Sequence, residues 1–190
     1  MSNDTKEQII KVVLQIIGQH GVQQITVREI ARQAKVNVAA INYHFGSKEQ
    51  LIKQSMDFYT KTMSGVLSIL DEEGDPKEKM LKFLNKFAEN AIYYPGVTKS
   101  FISKMMSPEE IDPLLTLTQK QGIGKMVKIL RELTTNVEEE QLKLLGLQIM
   151  SAILYPVLIN KQLPELYEFD YINKENREMY IELLFKNFIG

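Results

Sequence analysis

The 190-residue sequence predicts an all-α protein. Three observations lead there: apolar residues recur three and four apart, alternating runs that would mark strands are short, and helix-start signals return at intervals along the whole chain. A chain of this length buries a sizeable core without disulfides or metals. With no cysteine it has no disulfide framework, thiolate zinc site or cysteine nucleophile.

The elements follow in order. The first helix runs from about Asp4 to His20, with Ile9, Val13, Ile16 and Ile17 on one face and Gly21 available to end it in the left-handed conformation. Thr26-Val27-Arg28-Glu29 is a capping box opening a helix that buries Ile30, Ala31 and Ala34. Lys35 and Val36 make a tight turn, and Asn37 caps a short helix ending near Phe45, with Ile41 and Phe45 facing inward. Ser47-Lys48-Glu49-Gln50 is a second capping box, opening a long helix toward Leu70. Beyond it, Asp75 before Pro76, Ser107 before Pro108 and Asn136 before an acidic turn start further helices. These place helices near 76–93, 96–106, 109–134, 137–160 and 174–189, with the segment LPELYEFDYIN read as loop. Pro156 removes one intrahelical hydrogen bond near the end of its helix.

A helix, a tight turn and a second short helix led by small side chains follow the helix-turn-helix logic, in which the first helix braces the second against a DNA major groove about 12 Å wide. Val38, Ala39 and Ala40 let the backbone come close, and their methyl groups suit thymine methyls. Asn37 and Asn42 carry amides able to pair bidentately with adenine. Thr26, Arg28, Tyr43, His44 and Lys48 are donors suited to phosphates, Lys48 beside a helix N-terminus that favours anions. Residues 1–52 hold six Lys/Arg against four Asp/Glu, a charge of +2, and the remainder is −3, so the positive end coincides with the short helix.

Residues 26–51, TVREIARQAKVNVAAINYHFGSKEQL, resemble the DNA-binding segment of the tetracycline-repressor (TetR) family in the Thr, the IA..A, the turn and the ending YHF.SKE.L. The resemblance implies an all-helical homodimer. It implies a helix-turn-helix DNA-binding domain over 1–52 and a larger helical ligand-binding and dimerisation domain over 53–190. It also implies binding of a double-stranded, pseudo-palindromic operator through the third helix, and release by a small-molecule effector. Two residues depart from the family pattern: Lys35 stands where glycine is usual in the turn, and Asn42 replaces a frequent tyrosine.

In the larger domain, Met63, Phe83, Phe87, Phe101, Met105, Met126, Met150 and Tyr155 are candidates to line an effector cavity, with packed core as the competing reading of each. The last two long helices offer Leu145, Ile149, Ile153 and Val157, then Tyr180, Leu184 and Phe188, as a dimer interface of four helices.

Catalysis is not expected. Only His20 and His44 are present, acidic runs such as EEE read as solvated helix ends, and no nucleophile-elbow, phosphate-loop or dinucleotide glycine pattern occurs. No cofactor or metal is implied. The longest apolar run, residues 144–159, falls short of about 18–20 residues and reads as a buried helix, so no membrane partner and a cytoplasmic protein are expected. The N-terminus lacks the basic and apolar segments of a signal peptide. The competing functional reading is a helical protein-interaction module that has lost operator binding.

Overall fold

The computed structural model describes residues 3–20, 25–106 and 113–189, with backbone alone at 3, 18–20, 100, 104, 105 and 113–118. Among the described residues there are ten α-helices and no strand: α1 Asn3–His20, α2 Val27–Ala34, α3 Val38–Phe45, α4 Lys48–Ser68, α5 Pro76–Tyr93, α6 Pro95–Met106, α7 Pro113–Leu133, α8 Glu139–Leu158, α9 Leu163–Tyr167 and α10 Lys174–Ile189. The all-α expectation holds, and the helices lie close to where caps and periodicity put them. The chain divides into two compact units, Met1–Met63 with Tyr94–Glu109, and Ser64–Tyr93 with Glu110–Gly190.

The first unit is held by one apolar cluster. Ile9, Val13, Leu14 and Ile16 of α1 are 0–1% exposed and pack with Ile30, Ile41, Phe45 and Leu51, closing α2, α3 and the start of α4 over α1. Each such side chain contributes about 1.5–3 kcal/mol relative to exposure. Tyr94 and Val97 join the cluster from the start of α6. There Gly96 lies so close to α1 that a Cβ would sit 2.6 Å from the Gln15 carbonyl oxygen and 2.9 Å from that of Leu14. Backbone cannot retreat as a side chain does, so only glycine fits.

In the second unit, α5, α7, α8 and α10 enclose Met80, Leu84, Ile129, Leu130, Ile149 and Ile181. Pro156 lies inside α8, as read from sequence. Having no N–H, it leaves the Ala152 carbonyl one turn earlier without its helical donor, and the Tyr180 hydroxyl of α10 donates to that carbonyl at 2.9 Å. The Tyr171 hydroxyl reaches the next carbonyl, that of Ile153, at 3.4 Å. Burial pushes both phenols above their ordinary range, so they stay protonated and donating.

Several expectations are corrected. Ile149, Ile153, Val157 and Leu184, proposed for a dimer interface, are buried within the protomer, and Leu145 and Tyr180 are partly so; of that set Phe188 is exposed. Because α8 is apolar nearly all round, its periodicity does not say which stripe faces inward. The outward stripe is Leu144, Leu147 and Tyr155, matched on α10 by Met179 and Leu183. By length and composition α8 is also a candidate to cross a membrane, but its inner stripe is core. Asn136 does not cap α8: it adopts a left-handed backbone with φ 59°, and the helix starts at Glu138, whose N–H donates to the Gln141 side chain at 3.2 Å. The segment read as loop contains α9. Gly21 and Ser107 lie outside the described residues.

The candidate effector residues divide between the two units. Met63 and Phe101 belong to the first unit and Phe83, Phe87, Met126, Met150 and Tyr155 to the second. The Met105 side chain lies outside the described residues. Phe83 and Met126 are core, with the Phe83 and Phe87 rings 5.9 Å apart, and Tyr155 faces outward. Two depressions in the second unit, 340 Å³ and 520 Å³, are lined by none of these residues.

Gly96→Ala is expected to destabilise the protein by about 1–3 kcal/mol, and Tyr180→Phe by about 1–2 kcal/mol because it leaves the Ala152 carbonyl unsatisfied. Urea unfolding of each variant beside the parent checks both, and an unchanged midpoint for either contradicts the packing described.

Candidate nucleic-acid interface

The segment 26–50 shows how a two-turn helix is fixed in place. Thr26 begins α2, its hydroxyl accepting the Glu29 N–H at 3.2 Å. The Glu29 carboxylate accepts from Arg32 Nη2 at 2.6 Å and Gln33 Nε2 at 2.7 Å, laying Arg32 along the helix. These contacts hold the Arg32 guanidinium even more firmly protonated than usual. From α1, Gln8 Nε2 donates to the Ala34 carbonyl at 3.0 Å and braces the end of α2.

The turn follows a Schellman pattern. Val36 N–H reaches the Ala31 carbonyl at 3.0 Å and Lys35 N–H the Arg32 carbonyl at 3.4 Å, with Lys35 left-handed at φ 52°, ψ 41°. A lysine therefore carries the angle that glycine adopts at least cost, as its departure from the family pattern predicts. Asn37 then caps α3, its Oδ1 accepting the Ala40 N–H at 2.6 Å. The cap engages one lone pair of the Asn37 Oδ1.

At its far end α3 stops at Gly46, where φ 77°, ψ −60° and a Ser47 N–H to Phe45 carbonyl bond of 3.0 Å make a γ-turn of the rare, strained kind. The helix restarts at once: the Ser47 hydroxyl accepts the Gln50 N–H at 3.2 Å, opening α4. The Glu49 carboxyl is held below its usual range by its own backbone N–H and by the Ser47 hydroxyl.

Ile41 and Phe45 are 1% and 4% exposed, so one side of α3 is nailed to the core. The other side is open. Asn37, Val38, Ala39, Asn42 and Tyr43 are exposed, and Ala40 and His44 are half-buried at its margins. Tyr43, 86% exposed, stands edge-on to His44 with ring centroids 5.2 Å apart. Thr26 and Arg28 are exposed at the start of α2, and Lys48 is half-buried at the start of α4. All ten candidate residues thus fall within one compact unit and leave surface for a partner. One cation was not legible. Lys6 of α1 sits 5.5 Å from the centroid of the Phe45 ring, beside the end of α3, and no local pattern in its own helix marks it.

Residues 9–54, spanning this arrangement, match the sequence model described as bacterial regulatory proteins, tetR family. That segment is a domain of the tetR type. It is 33% identical over 88 residues to the probable HTH-type transcriptional regulator YttP of Bacillus subtilis, covering 44% of this chain and 42% of YttP. With the uncharacterized HTH-type transcriptional regulator YuxN of Bacillus subtilis it shares 30% identity over 99 residues, 52% of this chain and 33% of YuxN. The chain therefore spans less than half the length of these curated relatives. Among solved structures, the ketosteroid transcriptional regulator KstR2 of Mycobacterium tuberculosis aligns at a TM-score of 0.66 and 14% identity over 98% of this chain and 96% of that one. At that identity the likeness is one of fold. The all-helical architecture extends well beyond the matched segment.

Lys35→Gly is expected to stabilise the protein by about 0.5–1 kcal/mol, since relief of left-handed strain exceeds the extra freedom of glycine in the unfolded chain. Denaturant midpoints decide it, and a loss of stability contradicts the strain.

Proposed function

We infer that the protein is a DNA-binding transcriptional regulator that reads a pseudo-palindromic operator as a homodimer through the open face of α3. The observation that carries this reading is a two-turn helix, anchored by Ile41 and Phe45, whose free face holds small side chains and one unengaged amide, that of Asn42. In this reading Val38, Ala39 and Ala40 admit the backbone to the groove, and Asn42 pairs with a base edge. Arg28, Tyr43, His44 and Lys48, with Thr26 and the N–H donors of Asn37, hold the flanking phosphates. The functional boundary lies at about residue 52, after the first turn of α4.

The dimer face consistent with burial is the outward stripe Leu144, Leu147 and Tyr155 with Met179 and Leu183. Two copies paired through it by two-fold symmetry set their reading helices about 34–36 Å apart, one turn of DNA. A small effector taken up by the second unit acts on operator affinity through α4, which carries residues of both units. Ligand and DNA then weaken each other by the same factor. Such a regulator works in the cytoplasm, as a repressor released by its effector. The competing reading, a protein-interaction module, is motivated by the strained Lys35 and the small positive charge of residues 1–52.

Selection of bound duplexes from a random pool at near-physiological salt, followed by titration of the winner at several salt concentrations, separates the two. The regulator enriches an inverted repeat and prefers it about 10³-fold or more over other DNA. The interaction module enriches nothing. Asn42→Ala is expected to relax base preference, and Lys48→Ala to weaken all sequences alike and flatten the salt slope by about one.

A further inference from the structure

The 340 Å³ depression between α5 and α10 holds a side chain that the reading above leaves without a task. Arg177 is 7% exposed, and its partners are two main-chain carbonyls, those of Ile172 at 2.9 Å and Tyr171 at 3.4 Å, both through Nη1. Among the described residues it has no carboxylate partner, and its Nε is buried without an acceptor. Buried charges are ordinarily paired, because removing a guanidinium from water is expensive. The other walls add to the imbalance: the lining carries the cations Lys82, Lys86, Lys174 and Arg177 against the carboxylates Glu89 and Glu178. Lys86 and Lys174 lie 2.5 Å and 3.7 Å from Glu89 and Glu178, while Lys82 lies 2.5 Å from Glu72. These are exposed pairs of the kind that contribute little and re-partner readily. Asn85 lines the same depression with a buried, unpartnered Oδ1. A complementary occupant is anionic and presents both acceptors, for Arg177 and the lysines, and a donor, for Asn85.

We propose that this depression is a binding site for a phosphate group, free or carried on a small organic molecule. A phosphate monoester carries a charge of about −1.5 to −2 near neutral pH, opposite in sign to the net charge of the lining, and its partly protonated form also donates. A small turn of the Arg177 side chain aims its Nε–H at a phosphate oxygen, and Arg recognises planar pairs of such oxygens through its fixed fork. The volume accepts a phosphate with a small organic body and lies at the lower end of ligand sites, about 300–1,000 Å³. The site lies wholly in the second unit.

The test is the thermal midpoint of the whole protein against rising inorganic phosphate, ribose 5-phosphate or succinate, each beside sodium chloride of matched ionic strength. The expected result is a saturable rise with the two phosphates and none with succinate. Lys86→Ala/Lys174→Ala, whose midpoint without added anion shows it folded, should need about tenfold more phosphate. Lys120→Ala/Lys128→Ala, an equal charge change in the other depression, should respond as the parent does. Arg177→Lys, which keeps the charge and loses the fork, should weaken the response as well. Tighter binding of ribose 5-phosphate assigns an organic phosphate, and equal or tighter binding of inorganic phosphate assigns the free ion; both support the site. No rise beyond chloride, an equal rise with succinate, or equal responses of the two double variants overturns it.

Discussion

An eight-residue helix is not stable by itself in water, because nucleation costs more than so few hydrogen bonds return. Everything asked of α3 therefore depends on the burial of Ile41 and Phe45 in the α1 cluster. That burial settles the orientation of the other six residues, since positions one turn apart share a face and the remainder must turn outward. The helix is short because its ends are set by backbone angles, a left-handed Lys35 before it and Gly46 after it. Brevity here is a geometric consequence of reaching outward from a packed core.

The strain is distributed consistently with that reading. Two positive-φ residues lie within twelve positions of each other, one of them a lysine, at the bends that flank the helix. Such angles persist where surrounding contacts over-determine them. Gln8 bonding the end of α2, the Schellman bonds of the turn, the Asn37 cap and the Ser47 cap supply those contacts. The whole device is built from local hydrogen bonds on a single hydrophobic cluster, so its geometry is rigid where a partner would meet it.

This locality explains what was legible in the sequence. Caps, turn residues and the inward pair Ile41 and Phe45 act within four residues of themselves, so Thr26, Lys35, Asn37, Ser47 and Asp75 could be read one by one. The inner and outer stripes of α8 could not, because a helix apolar on both sides carries no periodic signal and only tertiary packing chooses Ile149 over Leu147. By residue type Asn136 is the better cap, yet Glu138 caps α8, because Asn136 takes a left-handed backbone angle invisible in sequence. No local pattern marks Arg177, since an arginine near a helix start is ordinarily solvated; its carbonyl partners come from Tyr171 and Ile172, just before α10. Asn37 could be read as a cap because the bond that makes it one closes within three residues.

The central claim is that the exposed face of α3 enters DNA. A chain without cysteine allows a direct measurement, the rate at which a single thiol introduced by Ala39→Cys is alkylated with and without a duplex the protein has selected. The account predicts that the duplex slows this reaction by about tenfold or more, as groove contact excludes the reagent, while a thiol introduced by Glu165→Cys in the second unit reacts at the same rate in both. Equal rates at position 39 with the duplex demonstrably bound would contradict it.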